Sequence, residues 1–247
     1  MLEASGQSVP GGQELLRPLR FPRGSALLGR LLALGYRVTG KRRYDDFRLE
    51  RVRGAPFMVI PSVLNPKLAR TGAFFASRLD STLLRPDSEV LDMGTGSGIC
   101  AVFAARHARR VVAVDINAEA VRCTGINAVL NHVEHRIEPR HGDLFAPVGA
   151  ERFDLILFNP PFLRGTPRDD RDRAWRSADV PERFAAGLRA HLKPDGLALV
   201  LLSTFGDARM FLDQFRVCGH EVSLLAERRY INERLAIFKV KPSTRTT

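Results

Sequence analysis

Cysteine and lysine are both scarce in this chain. Cys100, Cys123 and Cys218 are the only three cysteines among 247 residues. Three is too few and too odd a number for a disulfide framework, so they read as reduced thiols. No C-x-x-C or H-x-x-x-H pair occurs, and the spacing therefore predicts no metal site. No apolar run approaches the roughly 20 residues that a membrane-spanning helix needs. Residues 1–10 also lack the hydrophobic stretch of a secretory leader. The expected location is cytoplasmic, with no membrane partner.

The scarcity of lysine is set against abundant arginine. Of 38 cationic side chains, 33 are Arg and 5 are Lys, against 27 acids, for a formal net charge of +11. The ratio has two readings: codon bias, or use of the planar guanidinium fork on phosphate. Codon bias does not explain the excess itself, which is uneven. Residues 1–80 hold 14 basic and 6 acidic side chains, whereas residues 81–247 hold 24 and 21. A basic front on a near-balanced body predicts an anionic macromolecular partner met through residues 14–80: RNA, DNA or a ribosome-associated protein. Arg42 and Arg43 are the candidates to meet it. A merely solvated basic surface is the alternative. The remaining composition, 45% hydrophobic and 26% charged, excludes a disordered or fibrous chain.

Hydrophobic spacing divides the front from the body. Residues 1–13, rich in Gly, Ser and Gln, read as a flexible tail. Leu15, Leu16 and Leu19, then Leu27, Leu28, Leu31 and Leu32, recur at helical spacing, but Pro22 and Gly24 intervene, so two short helices are expected. Phe47–Val52 and Phe57–Ile60 read as a hairpin turning over Arg53–Pro56. Thr71–Leu84 reads as a helix with Phe74, Phe75, Leu79 and Leu83 near one face. Residues 14–80 would thus form a small α+β extension for substrate recognition.

From residue 81 to 247 the rhythm changes. Strands are expected at Val90–Met93, Val111–Asp115, Arg136–Arg140, Phe153–Phe158, Leu197–Leu202, Glu221–Ala226 and Arg234–Val240. Helices are expected after Gly98 and over Ala118–Leu130, Pro181–Leu192 and Asp207–Val217. This alternation predicts an α/β fold with a Rossmann-like, doubly wound, mostly parallel seven-stranded sheet. The last two strands are separated only by a turn and predict an antiparallel C-terminal hairpin at one edge.

Acidic and glycine-rich positions recur where such sheets bind ligands. Asp92-Met93-Gly94-Thr95-Gly96-Ser97-Gly98 stands at a strand-to-helix turn, where glycines let backbone approach a ligand without an intervening Cβ. Its G-x-G-x-G spacing differs from the G-x-G-x-x-G of dinucleotide sites. Asp92 would repel a pyrophosphate and suits an amine-bearing ligand. Asp115, 23 residues on, ends the next strand at the offset from which an acid accepts ribose hydroxyls. Asp143 follows the third strand and is placed for an adenine amino group. Each alone could be a helix cap; three at successive strand ends argue for one site.

With Asn159-Pro160-Pro161-Phe162 after the fourth strand, these residues resemble the class I S-adenosylmethionine-dependent methyltransferases of the Asn-Pro-Pro-[Tyr/Phe] group, the HemK-like or small-domain type. The resemblance covers about residues 90–240. It implies an N-methyltransferase with S-adenosyl-L-methionine as cofactor. Asp92, Gly94, Thr95, Gly96 and Gly98 would hold its methionine portion. Asp115 with Ile116 would hold the ribose, Asp143 with Leu144 would flank the adenine, and Asn159 would close the cofactor site. The resemblance also implies a planar acceptor nitrogen, either a nucleobase exocyclic amine or a glutamine amide. A cytosine-C5 reaction would want a nucleophilic Pro-Cys, and none of the three cysteines follows proline.

The Asn159 side-chain carbonyl and the Pro160 backbone carbonyl are two acceptors with no donor between them. Together they can hold an NH₂ group and turn its lone pair toward an incoming methyl. Phe162 would offer a flat face for stacking. Substrate contacts are expected at Pro161, Arg164 and Trp175. The charged stretch from Leu163 to Arg176 has two readings, a lid that closes on substrate or a solvated loop of mutually paired charges. A small-molecule acceptor, and a non-catalytic RNA-binding protein on the same fold, are the alternatives to a macromolecular substrate.

Overall fold

The structure is a computed structural model that describes residues 47–63, 65, 70–168, 170–204, 206–231 and 233–243. The tail expected over 1–13, the two helices expected within 14–35, and Arg42 and Arg43 lie outside the described residues.

The described chain opens with a hairpin of β1 (Arg48–Val52) and β2 (Ala55–Val59), paired antiparallel from Arg48↔Val59 to Val52↔Ala55. Its two-residue turn needs positive φ at both positions, and Arg53 (50°) and Gly54 (83°) supply it. Helix α1 (Thr71–Ala76) follows. The body then alternates β3 (Glu89–Met93), α2 (Ile99–Ala105), β4 (Arg110–Asp115), α3 (Ala118–Leu130), β5 (Ile137–His141) and β6 (Phe153–Phe158). After β6 come β7 (Leu163–Arg164), α4 (Asp170–Arg173), β8 (Arg176–Ser177), α5 (Val180–His191), β9 (Leu192–Ser203), α6 (Ala208–Val217), β10 (His220–Arg229) and β11 (Arg234–Pro242).

Seven strands make the central sheet in the order β10-β11-β9-β6-β3-β4-β5. Five of them run parallel, and β11 is antiparallel to both β9 and β10. The chain leaves β3 toward β4 and β5, then returns to β6 on the other side. This reversal opens a crevice at the strand C-terminal ends. The central strands β3, β4 and β6 and the second half of β9 are buried on both faces, so successive side chains enter opposite layers. Val111 and Ala113 pack with α1, α2 and the hairpin, while Val112 and Val114 pack with α5 and α6.

Capping fixes the helices that matter for the crevice. The side chain of Asn117 accepts the Glu119 N–H (2.9 Å) at the start of α3, and Glu119 lies in the first turn. Pro181 opens α5, where its missing N–H costs nothing.

Two expectations are corrected. The helix expected over Thr71–Leu84 stops at Ala76. There Ser77 Oγ bonds back to the Phe74 carbonyl (2.6 Å), and Asp80 Oδ1 accepts from Thr82 N (3.0 Å) and Thr82 Oγ1 (2.6 Å). These local bonds compete with the helical ladder. The strand expected from Leu197 begins at Leu192, because Leu192 pairs with Phe153 of β6 before a register shift, and pairing resumes with β6 at Leu197 and starts with β11 at Ala198.

Candidate active site

The crevice holds a cavity of about 370 Å³, within the size range of small-molecule sites. Its floor is the loop after β3. Gly98 caps α2 with φ of 75°, and a Cβ there would meet the Thr124 backbone at 3.0 Å. Glycine therefore both permits the turn and lets α2 approach α3.

Asp92 organises this loop from beneath. It is 3% exposed, and its Oδ2 accepts from Thr95 Oγ1 (2.7 Å) and the Ala101 N–H (3.0 Å). Burial, reinforced by the charge of Asp115, pushes its carboxyl up to about 7 despite those hydrogen bonds. Neither Asp92 nor Gly98 reaches the cavity wall, whereas Gly94, Thr95, Gly96 and Ser97 do. The expected direct contact from Asp92 thus gives way to a supporting role.

Asp115 ends β4 on the wall. Its Oδ2 accepts the Gly96 N–H (2.8 Å) and its Oδ1 the Asn117 N–H (2.9 Å). Burial raises its pKa, while these backbone donors act in the opposite direction. Each oxygen keeps a further lone pair. Ile116 also lines the cavity, with its carbonyl oxygen 3.0 Å from His141 Nε2. Asp143 and Leu144 complete this end, but Asp143 is engaged. Arg183 Nη2 on α5 donates to its Oδ2 at 2.6 Å, bridging α5 to the loop after β5.

At the other end stand Asn159, Pro160, Pro161 and Phe162. Asn159 Nδ2 donates to Thr71 Oγ1 (3.3 Å), whereas its buried Oδ1 has no hydrogen-bond partner. Because Nδ2 is the donor, the amide presents its oxygen as a ready acceptor. Phe162 lines the cavity but is only 8% exposed and packs into the core with Leu157 and Leu201. It offers a narrower face than the sequence suggests.

The charged stretch after Phe162 is folded. Leu163 N donates to the Trp175 carbonyl (2.7 Å), Gly165 N to the Ser177 carbonyl (2.9 Å), and β7 pairs in parallel with β8. Trp175 packs partly against the core and lines the cavity. Arg164 does not reach the wall; it donates to Glu182 at 2.8 Å. Thr71, Asn127, Ser177 and Arg183 were not singled out by sequence. Among the described residues, no group of three His, Cys, Asp or Glu side chains could hold a metal, and no helix is long and apolar enough to cross a membrane.

A family model described as the methyltransferase small domain matches residues 66–224. The chain belongs to the methyltransferase small domain family. Ribosomal RNA small subunit methyltransferase C of Alcanivorax borkumensis is 33% identical over 131 residues, 53% of this chain and 37% of that protein. The ribosomal protein uL3 glutamine methyltransferase of Bradyrhizobium diazoefficiens is 31% identical over 189 residues, 66% of this chain and 57% of that protein. The chain thus spans between a third and three fifths of the length of these curated relatives. Trm5 of Methanocaldococcus jannaschii, solved in complex with adenosine, superposes with a TM-score of 0.58 at 17% identity, covering 81% of this chain and 57% of that one. This likeness shows the Rossmann-like methyltransferase fold of the small-domain family member described here.

Proposed function

We propose that this protein is an S-adenosylmethionine-dependent N-methyltransferase whose acceptor is a planar nitrogen in an RNA or a translation-associated protein. The carrying observation is the buried, unpartnered Asn159 Oδ1 on the wall of a cavity whose opposite end carries Asp115. The residues fit the cofactor. Asp115 keeps lone pairs for two ribose hydroxyls, Ile116 and Leu144 offer apolar surface for a purine, and Gly94–Ser97 leave backbone close to the remainder. The bound cofactor supplies an electrophilic methyl group on a sulfonium.

The chain's own residues do the rest. Asn159 Oδ1 accepts a hydrogen from the target NH₂, and the Pro160 carbonyl is available for the second. Holding both hydrogens turns the nitrogen lone pair away from conjugation and toward the donor end of the cavity. Thr71 holds the Asn159 amide in the required orientation. No tuned general base is required, since the proton can leave to solvent after transfer.

The similarity to relatives named for ribosomal RNA and for ribosomal-protein glutamine supports a macromolecular acceptor. The basic front supports the same reading through residues 14–80. Incubation with radiolabelled S-adenosylmethionine and a cell extract tests it: the label is expected in RNA or protein. Label confined to small molecules would overturn the macromolecular reading. In calorimetry Asp115→Ala should weaken S-adenosylmethionine binding without unfolding the chain, and unchanged affinity would refute the cofactor assignment.

A further inference from the structure

Asn159 and Ser177 both line the cavity, and each carries a buried side-chain oxygen without a hydrogen-bond partner, Oδ1 and Oγ. Arg176 Nε, the neighbouring case, still lies 3.4 Å from the Asp172 carboxylate. Ser177 is 7% exposed. A hydroxyl buried without a partner destabilises a fold that could carry alanine there, unless a ligand completes its hydrogen bond.

The position of Ser177 is tied to the acceptor end. Strand β7 begins one residue after Phe162, and in the parallel pair with β8 Arg164 stands opposite Ser177. The Ser177 carbonyl takes the Gly165 N–H and the Trp175 carbonyl takes the Leu163 N–H. Its hydroxyl is therefore held by the same piece of chain that carries Asn159, and the backbone bonds leave it free to serve a ligand.

The two groups differ in kind. Asn159 Oδ1 can only accept, whereas a serine hydroxyl can donate. A cavity offering one of each complements a nitrogen that bears hydrogens and is bonded to a carbon carrying an acceptor atom X, an N–C=X unit. A carboxamide has this form with X as oxygen, and an amino-substituted nucleobase has it with X as a ring nitrogen. We propose that Ser177 is a specificity-determining residue that donates a hydrogen bond to X, so that the site selects N–C=X nitrogens over simple amines. This rests on the acceptor reading of Asn159 given above. It also accounts for the β7–β8 pairing here, because an unpaired loop could not hold a hydroxyl at a fixed place.

Two small probes separate the chemistry: benzamide, which contains N–C=X, and aniline, whose NH₂ has no such neighbour. Their affinities for the chain saturated with S-adenosylhomocysteine can be read by ligand-observed NMR. The wild type is expected to prefer benzamide by about fivefold, the scale of one neutral hydrogen bond. Ser177→Ala should abolish the preference, and Ser177→Thr, which keeps a hydroxyl, should retain it. Calorimetry with S-adenosylhomocysteine should give all three proteins the same affinity, which also shows that Ser177→Ala is folded. A preference that survives in Ser177→Ala, or none in the wild type, would overturn the proposal. So would loss of S-adenosylhomocysteine affinity in Ser177→Ala with melting unchanged, which would move Ser177 to the cofactor side. Failure of the wild type itself to bind S-adenosylhomocysteine would refute the cofactor reading instead, and the probe preference on the free chain would still decide for Ser177.

Discussion

The buried Asn159 Oδ1 has no hydrogen-bond partner, a cost that the proposed acceptor role would offset. Asn159→Ala removes the acceptor while leaving Asp115 and the glycine loop untouched. Cofactor affinity should stay near wild type while methyl transfer falls about 10²–10³-fold, the scale of one preorganised polar partner. Transfer at the wild-type rate in a radiometric assay would rule out the acceptor role. Asp92 sets a different expectation, in stability rather than turnover. Its folded-state pKa is raised from 3.8 to about 7, chiefly by burial. The protonated form is therefore favoured in the fold. Its contribution is full below about pH 4 and is lost as pH rises through 7. Asp92→Asn keeps an acceptor for Thr95 and Ala101 and removes the ionisation. Urea melts should show the variant about 4 kcal/mol more stable than wild type at pH 8 and within about 1 kcal/mol of it at pH 4. Equal stability at both values would show that Asp92 is not buried as an acid.

At the scale of elements, β6 and α3 were legible to the residue because apolar patterning and capping are local. Asp115 and Asn159 were legible because their spacing from strand ends is local too. What escaped depends on partners distant in sequence. The Asp92 role depends on the Ala101 N–H, and Asp143 is engaged by Arg183 across 40 residues. The clearest case is Asn127 on α3, fully buried. Its Nδ2 donates to the Met58 carbonyl (2.7 Å) and the Ser97 carbonyl (2.8 Å), and its Oδ1 accepts the Met58 N–H (2.7 Å). One side chain thus fastens the β1–β2 hairpin and the glycine loop to the same helix. Sequence periodicity shows Asn127 only as a polar residue within a helix. Asn127→Ala would strand several buried backbone groups and should cost about 3 kcal/mol. S-adenosylhomocysteine affinity should fall as well, because the loop loses its anchor. Chemical denaturation and calorimetry on one preparation check both, and a loss below 1 kcal/mol would mean that the hairpin docks by its apolar face alone.

For the whole molecule, charge and chemistry separate along the chain. The site is built largely from residues of the nearly balanced body, with Ser62, Val63, Thr71 and Gly72 the lining residues from the front, and its ionic contacts are largely internal. Arg110 and Arg140 share Glu138 and Glu151 around β5, and Arg183 takes Asp143. The excess of +8 lies in residues 1–80, and in the function proposed above it bears on which acceptor is brought to the cavity. If it recruits a polyanion, binding releases condensed counterions and the affinity must fall with salt. On a logarithmic plot the slope is set by the number of phosphates neutralised. Arg42→Glu with Arg43→Glu should weaken binding to total RNA and lower the magnitude of that slope by about two. Cofactor affinity should not change. Fluorescence anisotropy across a salt series reads both quantities. A slope unaltered by the double reversal would place the RNA contact elsewhere, and binding independent of salt would favour an uncharged acceptor that reaches Asn159 without electrostatic help.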